Sequence, residues 1–376
     1  MSKRILCGLL IVSLLFVCGC WDIREGESQA FVLGIGMDAA SPDSYTYIFE
    51  VASPQAIFGQ QSGDEKTVNV TVTARTTEQA MVLAQRQIGR EMNLEHLQIV
   101  VITQKLAEQG FGGLLDYLFG SNAMRRTLKI AVLDNTCSLE TLMELQPVQA
   151  PSLADTMRTL LAENLGSSGK RYDAGSILEM ILNSVEQDRL DYVVSRIGWD
   201  ENSGMLKLLG GTVLRNGFAV QAIDADALNA LYWLRSEDSR PHLTVPAGED
   251  QWEFLVQQQN AVLKTEIVSG MPRVTVSIRA VCQMVENKNV AGTGNGYSCT
   301  PEEAAAAVEE KLLTDCRKLI DDSKLWDVDI LNLSGRLRTR EYRWWQQNGE
   351  NFYDLYKEIP IDVTVDIDVR RVGNAT

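Results

Sequence analysis

Cys20 is the residue whose type and setting point to a definite reaction. It follows the small residue Gly19, and Lys3 and Arg4 lead into an apolar run from Ile5 to Val17. A basic start, an apolar stretch and a small residue before the cut are the parts of an export signal. A cysteine directly after that small residue is the acceptor expected in lipoprotein processing. Residues 1–19 would leave as a signal peptide, and the new N-terminal Cys20 would carry the lipid. Cys7 and Cys18 follow the bulky Leu6 and Val17 and do not fit. The apolar run of about 13 residues is shorter than the roughly 20 that span a bilayer. Two or more acyl chains anchor stably, because each buried methylene contributes about 0.8 kcal/mol. An uncleaved anchor or a plain secretory signal is the competing reading.

The other candidates for chemistry are weaker. The sequence holds 2 histidines, His96 and His242. Neither has a nucleophile or metal partner at a recognisable spacing. His96 precedes an apolar strand, and a structural role at the strand edge is the better reading. Gly34-Ile35-Gly36 and Gly292-Thr293-Gly294-Asn295-Gly296 resemble phosphate loops, but neither completes a known phosphate-binding pattern, so both read as turns. Asp362, Asp366 and Asp368 form an acidic row on one strand. The calcium-loop pattern is absent there, and a solvated face is expected. After Cys20 the cysteines are Cys137, Cys282, Cys299 and Cys316. None forms a zinc-type pair. Cys282 and Cys299 flank a Gly/Asn-rich stretch and could bond after export, although free buried thiols are the simpler expectation. Tyr342, Trp344, Trp345, Phe352, Tyr353 and Tyr356 cluster late in the chain, as core or as a partner anchor. No catalytic residue, cofactor or metal is expected.

The elements that must position these residues follow from periodicity. Tyr45, Tyr47, Phe49 and Val51 recur at period two, as do Val68, Val70, Val72 and Ala74. A helix from Thr76 or Thr77 carries Ala80, Leu83, Ala84 and Ile88 on one face. Leu97–Ile102 and Leu128–Leu133 read as strands, with a helix over 106–119 broken near Gly110. Helices near 152–164 and 174–188 and strands over 190–197 and 206–214 follow. Asn216-Gly217 predicts a hairpin turn, and a short helix covers 228–235. The second half adds a strand over 274–286 and a helix from Thr300 to about Lys324. That helix opens with a capping box and Pro301 at its first position. A further helix is expected over 342–358. The last strand, from Ile359, is strictly alternating: Ile359, Ile361, Val363, Val365, Ile367 and Val369 on one face, Asp362, Thr364, Asp366, Asp368 and Arg370 on the other. This mixture is an α+β pattern. The expected domains are 20–200, an α/β region of one or two subdomains, and 201–376, with a soft boundary near residue 200.

Net charge is −15, and the pI is about 4.7. A nucleic-acid partner is therefore not expected, because phosphate binding needs clustered Lys and Arg. The same charge would keep the body as a whole off an anionic membrane.

In order along the chain, several stretches resemble the Ger(x)C family, the lipoprotein C subunits of nutrient germinant receptors of endospore-forming bacteria. They are Gly19-Cys20-Trp21-Asp22 with Glu25 and Gly34-Ile35-Gly36-Met37-Asp38, then His96 before Leu97–Ile102. Gly211-Thr212-Val213 and Leu231-Tyr232-Trp233-Leu234 follow. Asp327-Val328-Asp329-Ile330, Trp344 and the final strand to Gly373 close the match. Gly26 and Thr103-Gln104 depart from the usual pattern. The resemblance implies a non-enzymatic subunit working with two integral-membrane partners, of A and B type, on the outer face of the spore inner membrane. It implies an α+β, three-domain fold of unusual topology and leaves a nutrient ligand open. The alternatives are an extracytoplasmic solute-binding lipoprotein, which the antiparallel-looking second half argues against, and a cell-envelope hydrolase.

Overall fold

A computed structural model describes residues 29–52, 67–120, 125, 127–145, 152–163, 174–200, 203–235, 242–247, 250–288 and 300–371. Cys20, Gly292–Gly296 and Cys299 lie outside these residues. The fold is α+β, with two mixed sheets and helices packed on them.

The first sheet is built on β1 (Gln29–Ser41), which pairs antiparallel with β2 (Ser44–Ala52), and β2 pairs with β3 (Thr67–Ala74). On its other side β1 runs parallel to β4 (Glu91–Asn93) and to β5 (Ile99–Thr103). The order continues through β6 (Lys129–Leu133), β7 (Tyr192–Asp200), β8 (Met205–Arg215) and β9 (Phe218–Ile223). The β8–β9 turn places Asn216 at φ 51° and Gly217 at φ 82°, the positive values that a two-residue hairpin of matching twist requires. The soft boundary near residue 200 falls in the β7–β8 hairpin of this sheet, and the second sheet begins beyond β9.

Helices cover both faces. One face carries α1 (Thr77–Ile88), α2 (Gln104–Gln109), α3 (Gly112–Gly120) and, later in sequence, α6 (Ile177–Gln187); the other carries α4 (Leu139–Met143) and α5 (Leu153–Glu163). The Thr76 side chain accepts from Gln79 N and so caps α1, and Gly89 at φ 71° ends it. The break expected near Gly110 is the gap between α2 and α3.

Gly34 and Gly36, expected in a turn, lie instead in mid-strand. The reason is helix packing. A Cβ on Gly36 would stand 2.8 Å from Leu139 Cδ1, and one on Gly34 would stand 3.3 Å from Ala154 Cβ. Their missing side chains let α4 and α5 settle on the sheet. Glu50 then reaches from β2 to the start of α5. Its two oxygens accept from Leu153 N and Ala154 N, each at 2.8 Å. Burial pushes this carboxyl above its ordinary value, against those amide bonds.

The second sheet is β10 (His242–Ala247), β11 (Asp250–Val268), β12 (Met271–Lys288) and β13 (Ile361–Arg371) in that order. The first three are antiparallel, whereas β13 is parallel to β12. Its inner face packs on α8 (Pro301–Trp326), and α7 (Ala225–Arg235) joins the two sheets. The capping box is present: Thr300 Oγ1 accepts from Glu303 N at 3.2 Å, and Glu303 accepts from Thr300 N at 2.8 Å. Val308, Leu312, Cys316 and Leu319 form the buried stripe of α8. Val363, Ile367 and Val369 are buried and Ile361 and Val365 half-buried, while Asp362, Asp366 and Asp368 face solvent.

The single helix expected over 342–358 is three pieces: α10 (Tyr342–Asn348), one 3-10 turn (Gly349–Asn351) and α11 (Phe352–Tyr356). An unexpected helix, α9 (Leu333–Arg340), precedes them. The late aromatic cluster is core, with Phe352, Tyr356 and Trp344 buried; Tyr342 alone among its six members is exposed.

Candidate functional site

The most elaborate polar cluster lies between the two halves. α6 stops at Gln187 because Asp188 turns left-handed, with φ 55°. Arg189 and Asp191 follow before β7 begins. Asp191 is 1% exposed. Its Oδ1 accepts from Arg189 Nε at 2.7 Å and from Asn216 N, in the β8–β9 turn, at 3.0 Å. Its Oδ2 accepts from Arg189 Nη2 at 2.5 Å and from Asp329 N at 3.1 Å. The Arg189 guanidinium also donates to the carbonyl of Asp327. It lies 3.4 Å from the centre of the Tyr353 ring, a cation–π arrangement. One arginine and one aspartate from the first half thus grip the loop after α8 and the helix α11.

Asp329 forms the second layer and is 0% exposed. Oδ1 accepts from Leu333 N, and Oδ2 accepts from Ser334 N and Ser334 Oγ, all at 2.8 Å. It therefore caps α9 in place of Asn332, whose side chain makes no cap bond. Burial raises the Asp329 carboxyl above its ordinary value, and the three donors oppose that. Tyr356 and Ser323 share a hydrogen bond of 2.9 Å beside it. Arg235 ties α7 to both halves, donating to Ile330 O and to Asn183 Oδ1 at 3.0 Å each.

The chemistry of this arrangement is structural. Both carboxylates are buried and accept from internal donors. Buried charges of this kind hold only while their partners are present.

The other candidate residues are dispersed. His96 is half-buried after β4 and meets Phe31 edge-on, with ring centres 5.0 Å apart. Burial, then the charge of Arg125, holds its imidazole below the ordinary 6.5. Its neutral form is favoured in the folded chain. Stability from this group is therefore present above pH 6.5 and lost as pH falls toward the folded value. His96→Gln should remove that small acid-side slope from a pH series of thermal melts. It should alter germination only as far as it alters abundance; a folded, abundant and wholly inactive variant would count against a structural role. His242 opens β10. Asp362, Asp366 and Asp368 pair with Arg273, Arg279 and Arg370 at 2.9, 3.4 and 3.2 Å. Among the described residues no group of three His, Cys, Asp or Glu side chains could hold a metal. Cys137, Cys282 and Cys316 carry free thiols. Burial first, then a neighbouring aspartate, pushes those of Cys282 and Cys316 up to about 12.

Sequence reasoning missed Arg189 and Asp191 altogether and had Asp327–Ile330 only as a stretch resembling a family. The partners are 138 residues apart, and no local pattern marks such a pair.

Comparison with known families places both halves. Residues 22–194 match the spore germination protein N-terminal domain, and residues 210–373 match the spore germination B3/GerAC-like C-terminal domain. The chain belongs to the GerAC-like spore germination protein family. The two matches meet around the β7–β8 hairpin, and Asp191 and Asp329 come one from each. Within the family, the chain is similar to spore germination protein KC of Bacillus subtilis (strain 168), at 21% identity over 99% of this chain and 96% of that one. It is 21% identical to spore germination protein B3 of the same organism over 97% of each. The crystal structure of the GerBC protein shares the fold, with TM-score 0.52 and 14% identity, covering 90% of this chain and 97% of the other.

Proposed function

We propose that this chain is the lipid-anchored C subunit of a nutrient germinant receptor. It is a non-enzymatic component that acts through contacts with two integral-membrane subunits, of A and B type. It sits on the outer face of the spore inner membrane, held through Cys20. The observation that carries this reading is the paired match of both spore germination domains across nearly the whole chain. Two further features support it. Gly19-Cys20 ends a short apolar segment behind Lys3 and Arg4. No described helix is long and apolar enough to cross a membrane, so in this reading attachment falls to the lipid. The two buried carboxylates of the main polar cluster, Asp191 and Asp329, are served by internal donors, which fits a body that presents shaped surfaces rather than a reacting centre.

The test is a Cys20→Ala chain expressed in sporulating cells. The wild-type N-terminal peptide should carry acyl groups by mass spectrometry and fractionate with membranes. The variant should lose both, and its spores should respond to nutrients as poorly as a deletion strain. Acylation elsewhere, or membrane retention that survives the substitution, would contradict the anchor.

A further inference from the structure

β1 runs parallel to β5, and β3 runs the same way, since β1 and β3 are both antiparallel to β2. All three strands therefore finish at one end of the first sheet, where α1 and α2 begin. Sheets with this layout leave a crevice for ligands outside the carboxyl ends of their parallel strands. A cavity of about 230 Å³ lies there, between the β1–β2 end of the sheet, the start of α1 and α3. Drug-sized pockets begin at roughly 300 Å³, so its occupant is small.

Four aromatic rings line the cavity: Tyr45 and Tyr47 from β2, Phe111 from the joint between α2 and α3, and Tyr117 from α3. The wall from β2 is held in place by the chain itself. Tyr47 is buried, shares a hydrogen bond of 3.2 Å with Thr77 Oγ1, and meets Tyr45 edge-on with ring centres 6.4 Å apart. Among the described residues, Arg75 and Glu78 are the charged members of the lining, and both are exposed. They flank the cap of α1, Arg75 just before Thr76 and Glu78 in the first turn. The Tyr117 hydroxyl donates to Glu78; burial, then Glu78 itself, pushes that phenol up to about 12, so it keeps its proton. A positioned carboxylate and an exposed guanidinium thus share the rim of an aromatic cavity. The junction residues Arg189, Asp191 and Asp329 are not part of it.

We infer that this cavity is a ligand site for a small aromatic zwitterion, its ring among the tyrosines, its ammonium on Glu78 and its carboxylate on Arg75. Aromatic pairs gain more than their buried area alone supplies, which favours a ring over an aliphatic body. An ammonium beside Glu78 also meets tyrosine faces, a cation–π setting. A lone anion would face Glu78 and a lone cation would face Arg75, whereas a zwitterion satisfies both. The site belongs to the first half of the chain and does not depend on a lipid at Cys20.

The test is ligand-observed NMR titration of the full-length chain in detergent, which reads affinities into the millimolar range. The probes are L-phenylalanine, phenethylamine and 3-phenylpropionate, one ring carrying both charges, the positive one or the negative one. Phenylalanine should bind about tenfold or more tightly than either analogue, the loss expected for one charged hydrogen bond. Glu78→Gln should weaken phenylalanine by about tenfold and leave 3-phenylpropionate no weaker. Arg75→Gln should weaken phenylalanine as much and leave phenethylamine no weaker. Both residues are exposed, so each variant should melt with the wild type. A wild-type chain that does not bind phenylalanine, an analogue that binds as tightly as phenylalanine, or a normally melting variant that loses all three probes alike overturns the site. Each of those results leaves the family membership and the anchor reading as they stand, because acylation and membrane retention are read without any of the probes.

Discussion

Asp191→Ala should destabilise the chain by about 3–5 kcal/mol, the usual loss when one partner of a buried ion pair is removed. The alanine would leave Arg189, itself largely buried, without its bidentate acceptor. It would also strand Asn216 N and Asp329 N, the two backbone donors that Asp191 serves. An unsatisfied buried donor costs about 1–3 kcal/mol. The damage falls on both halves, so thermal unfolding of the variant should shift as one transition. Removing Arg189 together with Asp191, as Arg189→Met with Asp191→Leu, should recover part of the loss, because no charge is then left buried. A melt of Asp191→Ala within 1 °C of wild type would mean that the two halves do not depend on this junction.

Val363→Asp should prevent folding of the second sheet. Val363 is buried beneath α8, between the half-buried Ile361 and Val365, and an uncompensated charge there costs several kcal/mol. The acidic neighbours offer a direct control. Asp366 is on the solvated face, with its partner Arg279 also exposed, and exposed pairs contribute about 0–1 kcal/mol. Asp366→Asn should therefore stay within about 0.5 kcal/mol of wild type. Thermal melts of the two variants, each with and without calcium, read both points. A calcium-dependent rise in melting temperature that Asp366→Asn abolishes would make the acidic row a ligand site.

The contrast between β13 and β11 explains what the sequence makes legible. β13 alternates strictly because one face is buried under α8 and the other is wet, so period two survives in the residue types. The capped start of α8 is equally local: Thr300, Pro301 and Glu303 supply the whole signal within four residues. β11 has the same half-buried geometry, but Gln257–Asn260 put polar side chains on both faces and a bulge between Val256 and Gln258 shifts the register. Its alternation is lost, and no strand could be read there. α9 was illegible for another reason. Its cap is the carboxylate of Asp329, made available only by burial of the preceding loop, and its sequence LSGRLRTR carries little apolar periodicity. The glycines of β1 misled in the opposite direction. Gly34 and Gly36 look like punctuation, yet they are cut-outs for Ala154 and Leu139, residues more than 100 positions away. Of the candidate functional features, only Cys20 has a purely local signature. The junction of Arg189, Asp191 and Asp329 exists only once the two halves meet.

That this chain works as the lipid-held, non-enzymatic member of a receptor assembly is our proposal. Its most direct test is purification of the tagged, full-length chain from spore inner membranes in mild detergent, with mass spectrometry of everything that accompanies it. The expected result is an acylated Cys20 peptide and two integral-membrane proteins, retained in constant proportion to the chain. A chain that purifies without membrane partners, carrying a stoichiometric small solute instead, would contradict it and make the solute-binding lipoprotein the better description.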